Sequence, residues 1–142
     1  MNQTQGKLLV DLNFLELVEN MKIVELLYGK VDGIEGFKIG LKPIHMECGF
    51  KILHRISMLR GVVKMYDGKL FDTPDTIAPI VSRLADCGVD LLTVSADAKQ
   101  PTIDAALRAK GPTMKILLVF ELTSVPSSLR RIKRNLAFFR SS

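Results

Sequence analysis

Five short apolar runs, each followed by a segment of helical periodicity, constrain the fold of this chain most strongly. The runs cover residues 8–12, 34–40, 62–67, 91–94 and 116–120. Strands that are apolar almost throughout are typical of parallel sheets, because such sheets are buried on both faces. After the first run, Leu17, Met21 and Val24 recur at helical spacing, and Gly29 ends that segment. Five consecutive β/α units predict a parallel sheet with right-handed connections and helices on its outside.

The segments between the runs predict four helices. Apolar stripes at helical spacing mark them, and glycines follow them as stop signals. The predicted stripes are Phe14, Leu17, Val18, Met21 and Val24 in the first helix, Ile77, Ile80, Val81, Leu84 and Ala85 in the third, and Ile103, Ala106 and Leu107 in the fourth. The second helix is predicted over residues 42–60, the third begins at Pro74 and is capped by Gly88, and Gly111 ends the fourth.

The residues after the first strand distinguish two kinds of α/β fold. Asp11-Leu12-Asn13-Phe14 contains no glycine, so neither a dinucleotide fingerprint nor a phosphate-binding loop follows this strand. This absence favours a (β/α) barrel of the TIM type over a nucleotide-binding doubly wound sheet. We therefore predict an α/β fold, a partial TIM-type barrel of about five β/α units. In such barrels, polar residues at the carboxyl ends of the strands converge on one mouth.

Charged residues concentrate at the predicted strand ends. Asp11 ends the first strand, Lys38 lies in the second, and Asp67, Lys69 and Asp72 lie at or just beyond the end of the third. Asp67 and Lys69 are two residues apart, so in an extended chain they point to the same side. A lysine in an apolar strand needs an acidic partner, and Asp67 on the adjacent strand is the natural one. The set serves either catalysis or a network of ion pairs that only closes the barrel.

Residues 67–76, Asp-Gly-Lys-Leu-Phe-Asp-Thr-Pro-Asp-Thr, resemble the Asp-x-Lys-x-x-Asp-x-Pro-x-Thr signature of orotidine 5'-monophosphate decarboxylase. Residues 9–11, 37–40, 88–94 and 121–124 resemble other blocks of that family, in the same order and at plausible spacing. The resemblance covers residues 7–125. It implies decarboxylation of orotidine 5'-monophosphate to uridine 5'-monophosphate in pyrimidine synthesis, with no cofactor and no metal.

The resemblance also implies the catalytic residues. Lys69 would deliver a proton to C6 of the pyrimidine as carbon dioxide leaves. Asp67 would sit against the substrate carboxylate, where like charges repel. Lys38 would hold the ribose side and orient Asp67. These residue types suit the reaction, since negative charge develops on carbon and a fixed cation can both stabilise and protonate it.

The remaining site residues implied by the resemblance bind substrate. Asp11 would hydrogen-bond the ribose hydroxyls, and Thr123 would contact the pyrimidine ring. Asp72 and Thr76 would reach into the active site of a neighbouring subunit, which implies a homodimer with shared sites and a small-molecule nucleotide as substrate. Ser95 stands where the family usually has histidine, so no strand-four imidazole is implied.

Two units are expected along the chain: residues 1–125 as the amino-terminal part of a decarboxylase-like barrel, and 126–142 as a basic amphipathic segment. The chain has 142 residues, whereas an eight-stranded barrel typically needs about 200 or more. The family continues through three further units that grip the substrate phosphate. An incomplete barrel that acts only by association is therefore one alternative. A sugar-phosphate lyase or decarboxylase of the same suprafamily is another, against which Lys38 argues.

The carboxyl-terminal segment carries the whole net charge of +5. Residues 127–142 contain five basic residues and no acidic one, whereas the rest of the chain is neutral. Three interpretations stay open for this segment: a fifth barrel helix, an unnatural end, or an amphipathic helix for a membrane surface or nucleic acid. Because the body is neutral, neither nucleic acid nor membrane is expected as a partner of the barrel itself.

Cysteine and histidine usage argues against structural metals and disulfides. Cys48 and Cys87 are too few for a disulfide framework and are expected as buried thiols. His45 and His54 would face opposite sides of one helix, so a shared metal is not expected. The chain has no apolar run long enough to span a bilayer and no signal-peptide pattern at its start. A cytoplasmic location is the resulting expectation.

Overall fold

The computed structural model describes residues 8–44 and 49–120. Strands and helices alternate in it, except that two helices follow the second strand. In chain order they are β1 (Leu8–Leu12), α1 (Leu17–Leu27), β2 (Ile34–Gly40), α2 (Leu41–Ile44), α3 (Gly49–Ser57), β3 (Val63–Leu70), α4 (Pro74–Asp86), β4 (Leu91–Ser95), α5 (Gln100–Ala109) and β5 (Lys115–Val119).

The five strands form one sheet in the order β1-β2-β3-β4-β5, and every neighbouring pair is parallel. Consecutive parallel strands joined by right-handed crossovers place their helices on the same side of the sheet. The predicted α/β class and the partial TIM-type barrel are therefore confirmed: over the described residues, the sheet comprises four β/α units and a fifth strand, and it does not close.

The helix-covered face of the sheet holds the hydrophobic core. Phe37 and Ile39 of β2, Tyr66 of β3, and Leu92 and Val94 of β4 are all buried there among apolar helix residues. Because side chains alternate along a strand, the residues between them project from the opposite face, which would line the interior of a barrel. Asp11, Lys38 and Asp67 belong to that opposite face.

The predicted second helix over residues 42–60 is wrong as a single element. The structure places α2 and α3 there as two helices, with residues 45–48 outside the described range. A Cβ atom at Gly49 would collide with the Pro43 carbonyl oxygen and with Ile44. Residues five apart in one straight helix are separated by about 7.5 Å along its axis, so this close approach shows that α2 and α3 are not parts of one straight helix.

The third strand is longer than predicted. β3 continues beyond Asp67 to Leu70, through an irregular register with β4.

The buried faces of the helices are narrower than the apolar stripes predicted from the sequence. Phe14 lies ahead of α1, and four predicted apolar positions carry exposed side chains: Phe14, Val18, Ile80 and Leu107. Instead of Val18, α1 buries Asn20, whose amide bonds the backbone of Phe14 and Glu16 and ties the β1–α1 loop to the helix.

A glycine fixes the contact between β2 and β3. A Cβ atom at Gly36 would collide with the backbone carbonyl of Val63. We expect Gly36→Ala to lower the free energy of unfolding by at least about 2 kcal/mol, because rigid backbone must shift to relieve the overlap. Urea denaturation measures this loss. Gly40→Ala in the same strand is the matched control, since its Cβ would lie an ordinary 3.7 Å from Asn13 Oδ1. Equal stability losses in the two variants would contradict the prediction.

Some sequence predictions fall outside the described residues. These are the ones for His45, Cys48, Thr123 and the basic segment 126–142.

Cys87 carries a free thiol that is partly, rather than fully, buried. None of the described helices is long and apolar enough to cross a membrane. The cytoplasmic location stays a prediction.

Candidate active site

Four charged side chains from three neighbouring strands meet at the carboxyl edge of the sheet. Lys69 Nζ lies 2.8 Å from Asp67 Oδ1, and Lys38 Nζ lies 3.4 Å from Asp67 Oδ2. Lys38 Nζ also lies 3.1 Å from Asp11 Oδ2. We call Asp11, Lys38, Asp67 and Lys69 the charged cluster. It holds two cations and two carboxylates in an unbroken chain of ion pairs.

Strand register explains why these residues meet. Asp11 is directly opposite Lys38, and Asp67 is directly opposite Gly40. Lys38 and Gly40 are two residues apart, so they share a face of β2. Because Gly40 has no side chain, nothing from β2 stands between Lys38 and Asp67. The long lysine side chain therefore reaches carboxylates on both neighbouring strands. Asp67 is the partner predicted for Lys38 from the sequence, and Asp11, which was not predicted, is the nearer one.

The contact between Asp67 and Lys69 depends on an irregular backbone rather than on simple alternation. Lys69 has a φ of +45°, the left-handed region that side chains other than glycine rarely adopt. Residues held in such conformations carry strain on the order of 1–3 kcal/mol, and they cluster at functional sites. The register between β3 and β4 shifts over the same residues, between Tyr66 and Leu70. This bulge turns the lysine towards Asp67.

The charges of the cluster stabilise one another. Partial burial alone would raise the pKa of Asp67, but hydrogen bonds from Lys69 and Thr93, and the charges of Lys69 and Lys38, lower it below its usual value. Partial burial lowers the pKa of Lys38, yet the hydrogen bond and charge of Asp11, followed by those of Asp67, raise it overall. Asp67 is thus a carboxylate and Lys38 an ammonium across the neutral range.

Thr93 joins the cluster from β4, and the sequence analysis missed it. Its Oγ1 lies 2.9 Å from Asp67 Oδ1 and accepts the Lys69 backbone N–H at 2.9 Å. A signal was available in the sequence, because Thr93 interrupts an otherwise apolar strand, as Lys38 does. Strand alternation also places Thr93 on the barrel-interior face, opposite the buried Leu92 and Val94.

The other predicted site residues do not all reach the cluster. Asp72 and Thr76 lie beyond β3 and in the first turn of α4, where both are exposed. The Asp72 carboxylate accepts the Thr73 N–H at 2.6 Å, and Thr76 pairs with the Thr73 hydroxyl at 3.0 Å. Among the described residues, no ion pair joins Asp72 to the charged cluster. Ser95 ends β4 and accepts the Asp97 N–H. Thr123 lies outside the described range.

The cluster can hold a substrate at an open edge. The Asp11 and Lys69 side chains are 44% and 34% exposed, whereas Asp67 between them is 15% exposed. A ligand can therefore approach the two outer groups while the half-buried Asp67 carboxylate fixes the cations. Across residues 8–44 and 49–120, no three His, Cys, Asp or Glu side chains are grouped so that they could hold a metal ion. The ammonium groups and carboxylates of the cluster can transfer a proton and place fixed charges beside a ligand.

Together, the parallel β/α units and the charges at their carboxyl edge define a protein of the partial (β/α)-barrel class. A family model described as orotidine 5'-phosphate decarboxylase / HUMPS family matches residues 6–136. The chain belongs to this family. The matched range includes part of the basic segment, so the predicted division at residue 125 stays a prediction.

Individual relatives agree with the family. The orotidine 5'-phosphate decarboxylase of Carboxydothermus hydrogenoformans is 32% identical over 126 residues, which cover 84% of this chain and 50% of that protein. The enzyme of the same name from Oenococcus oeni is 31% identical over 94 residues, covering 66% of this chain and 40% of that protein. The chain thus spans about half the length, or less, of these curated relatives.

Solved structures show the same fold. The orotidine 5'-phosphate decarboxylase of Lactobacillus acidophilus superposes with a TM-score of 0.72 at 26% identity, covering 92% of this chain and 59% of that one. An uncharacterized conserved protein from Geobacillus kaustophilus superposes with a TM-score of 0.78 at 22% identity, covering 94% of this chain and 68% of that one. The second likeness concerns the fold alone.

Proposed function

We propose that this chain decarboxylates orotidine 5'-monophosphate to uridine 5'-monophosphate. The observation that carries the proposal is the Lys69 ammonium, held 2.8 Å from Asp67 at the carboxyl edge of β3 and linked through Asp67 to Lys38 and Asp11. Membership of the decarboxylase family supports the same reaction. The names of these relatives support the substrate class, a pyrimidine nucleotide.

The proposed reaction breaks the bond between C6 of the pyrimidine and its carboxylate. Carbon dioxide leaves, and the electron pair of that bond remains on C6. Lys69 donates a proton from its ammonium to C6, which completes the product and leaves the lysine neutral until it takes a proton from water. A fixed cation near C6 lowers the free energy of the transition state because it faces the charge that develops there. A proton and fixed charges suffice for this step, so no cofactor is needed.

Asp67 has two roles in the proposed mechanism. It accepts a hydrogen bond from the Lys69 ammonium, so the proton donor is already oriented before substrate arrives. It also lies where the substrate carboxylate would bind, and two carboxylates side by side repel each other. That repulsion disappears once carbon dioxide has left, so it raises the free energy of the bound substrate more than that of the transition state. Lys38 keeps Asp67 ionised and in place from the opposite side.

The remaining roles concern binding. Asp11, the most exposed member of the cluster, would accept hydrogen bonds from the ribose hydroxyls. Thr123 would contact the pyrimidine ring. Asp72 and Thr76 are exposed, which is compatible with their serving the site of a second copy. We therefore propose a homodimer in which each site draws on both chains.

The direct test is turnover by the purified full chain. We expect loss of the orotate absorbance and release of one carbon dioxide per uridine 5'-monophosphate formed. The chain should also bind a uridine monophosphate analogue, as isothermal titration calorimetry can measure. Neither turnover nor analogue binding by a folded preparation would refute the proposal. That result would leave a barrel segment that acts by association. Binding without turnover would place the defect in chemistry and equally contradict the assigned activity.

A further inference from the structure

Thr93 is an unusual residue for its position. It lies in the middle of β4, is only 3% exposed, and is flanked by the fully buried Leu92 and Val94. A hydroxyl removed from water in this way is unfavourable unless it is hydrogen-bonded. The two partners that satisfy Thr93 both belong to the pair that the proposed reaction uses.

The directions of these two bonds follow from chemistry. A carboxylate can only accept, so the single Thr93 hydroxyl proton goes to Asp67 Oδ1 at 2.9 Å. The backbone N–H of Lys69 can only donate, so it points at the free lone pairs of Thr93 Oγ1, also at 2.9 Å. One hydroxyl therefore fixes the Asp67 carboxylate and the Lys69 backbone together. Asp67 Oδ1 is the same oxygen that contacts the Lys69 ammonium.

Thr93 bonds the irregular part of the β3 backbone, at Lys69. Lys69 has its φ at +45°, and the regular ladder between β3 and β4 is broken there. On the other side of the bulge, the Tyr66 ring packs so closely under Gly68 that an added Cβ would lie 2.6 Å from its Cε1 atom. The bulge is thus held from both faces of the sheet. The Tyr66 ring contacts it on the helix side, and the Thr93 hydroxyl bonds it on the barrel-interior side.

We propose that Thr93 is a positioning residue for the decarboxylation assigned above: its hydroxyl donates to the Asp67 carboxylate and accepts the Lys69 backbone N–H, and so aligns the carboxylate with the Lys69 ammonium. The inference deepens the proposed function and rests on it for its catalytic meaning. Thr93 itself lies behind Asp67 and Lys69, so it acts through them rather than on the reacting atoms.

Thr93 also affects how Asp67 titrates. The groups that face Asp67 are Lys38 from β2, Lys69 and Tyr66 from β3, and Thr93 from β4, with Asp11 reached through Lys38. The Thr93 hydrogen bond is among the contacts that lower the pKa of Asp67. Removing the hydroxyl while keeping both lysines should therefore raise that pKa.

Thr93→Val and Thr93→Ser test the proposal in the full chain. Valine replaces the hydroxyl by a methyl group of similar size, whereas serine keeps it. We expect Thr93→Val to lower kcat by about 10- to 100-fold with KM within about twofold, because only the alignment of reacting groups is lost. Carboxyl NMR titration should show a raised pKa for Asp67, and the Lys69 amide should exchange faster with solvent. Thr93→Ser should restore all three values.

Thr102→Val is the matched control. Thr102 is equally buried, at 3% exposure, but its hydroxyl donates to the backbone carbonyl of Asp72 at 2.8 Å. We expect it to leave the Asp67 titration and the Lys69 amide exchange as in the unsubstituted chain. A loss of packing alone would affect both threonine variants alike, and that outcome would overturn the proposal.

The titration and exchange readouts separate this proposal from the proposed function. If the unsubstituted chain has no turnover, the assigned activity fails, while the Asp67 titration still decides whether Thr93 positions the pair. An unchanged Asp67 pKa in Thr93→Val would overturn the positioning role. Should that variant not fold, exchange in the unsubstituted chain decides the question, because an unprotected Lys69 amide in the folded protein would also overturn it.

Discussion

Replacing Lys69 by methionine is expected to lower kcat for orotidine 5'-monophosphate by at least about 10⁴-fold, because one change removes both the proton donor and the fixed cation. Asp67 keeps Lys38 at 3.4 Å and the Thr93 hydroxyl at 2.9 Å, so no buried charge is left unpaired. We therefore expect the free energy of unfolding to change by about 1 kcal/mol or less. Steady-state kinetics and urea denaturation measure the two effects.

Lys64→Met is the matched control for this substitution. Lys64 lies in the same strand and pairs with Asp90 at 3.1 Å, but it lies at the amino end of β3, away from the charged cluster. Losing a comparable ion pair there should leave kcat unchanged. Turnover in Lys69→Met within tenfold of the unsubstituted chain would remove Lys69 from the role of proton donor.

Mixing two inactive variants is expected to restore turnover. Lys69→Ala and Asp72→Ala should each be inactive alone. In a mixed dimer, one site receives Lys69 from the Asp72→Ala chain and Asp72 from the Lys69→Ala chain, so that site is intact. Random pairing of equal amounts should then recover about a quarter of the full activity, since half of the dimers are mixed and each has one good site. Activity measured against mixing ratio gives the test.

A second mixture controls for this result. It combines Lys69→Ala with Asp67→Ala. In the unsubstituted protein Lys69 Nζ lies 2.8 Å from Asp67 Oδ1 of the same chain, so both residues belong to the same site. No mixed dimer of these two variants has an intact site, so no activity should return. If neither mixture regains turnover although dimers form, Asp72 does not serve a shared site. If both regain it equally, subunit exchange is not the cause.

The sequence predicted the elements that depend on local periodicity. β1 and β2 were predicted with their observed bounds, and α4 begins at Pro74 as expected, because proline at the first turn is a strong local signal. The parallel order followed from five apolar strands with crossovers between them. The break between α2 and α3 did not follow, because it depends on a tertiary contact of Gly49 with α2.

Some residues of the candidate site could likewise be predicted from the sequence, and others could not. Lys38, Asp67 and Lys69 could be selected because charges in buried strands need partners. The Asp11–Lys38 contact could not be selected, since strand register decides which carboxylate lies opposite which lysine. Thr93 lies 24 residues beyond Lys69, and its bond exists only because the backbone bulges there. Left-handed backbone at a lysine leaves no trace in residue pattern.

The register that unites Asp11, Lys38 and Asp67 has a consequence for folding as well as for chemistry. A slip of β2 by one residue would exchange its two faces, so Lys38 would enter the apolar layer where Phe37 and Ile39 now lie. A lysine there would lie far from both carboxylates. Misaligned sheets would therefore be strongly disfavoured, whatever the substrate. The three side chains that form the charged site therefore also favour the native register of β2 over registers shifted by one residue while the sheet assembles.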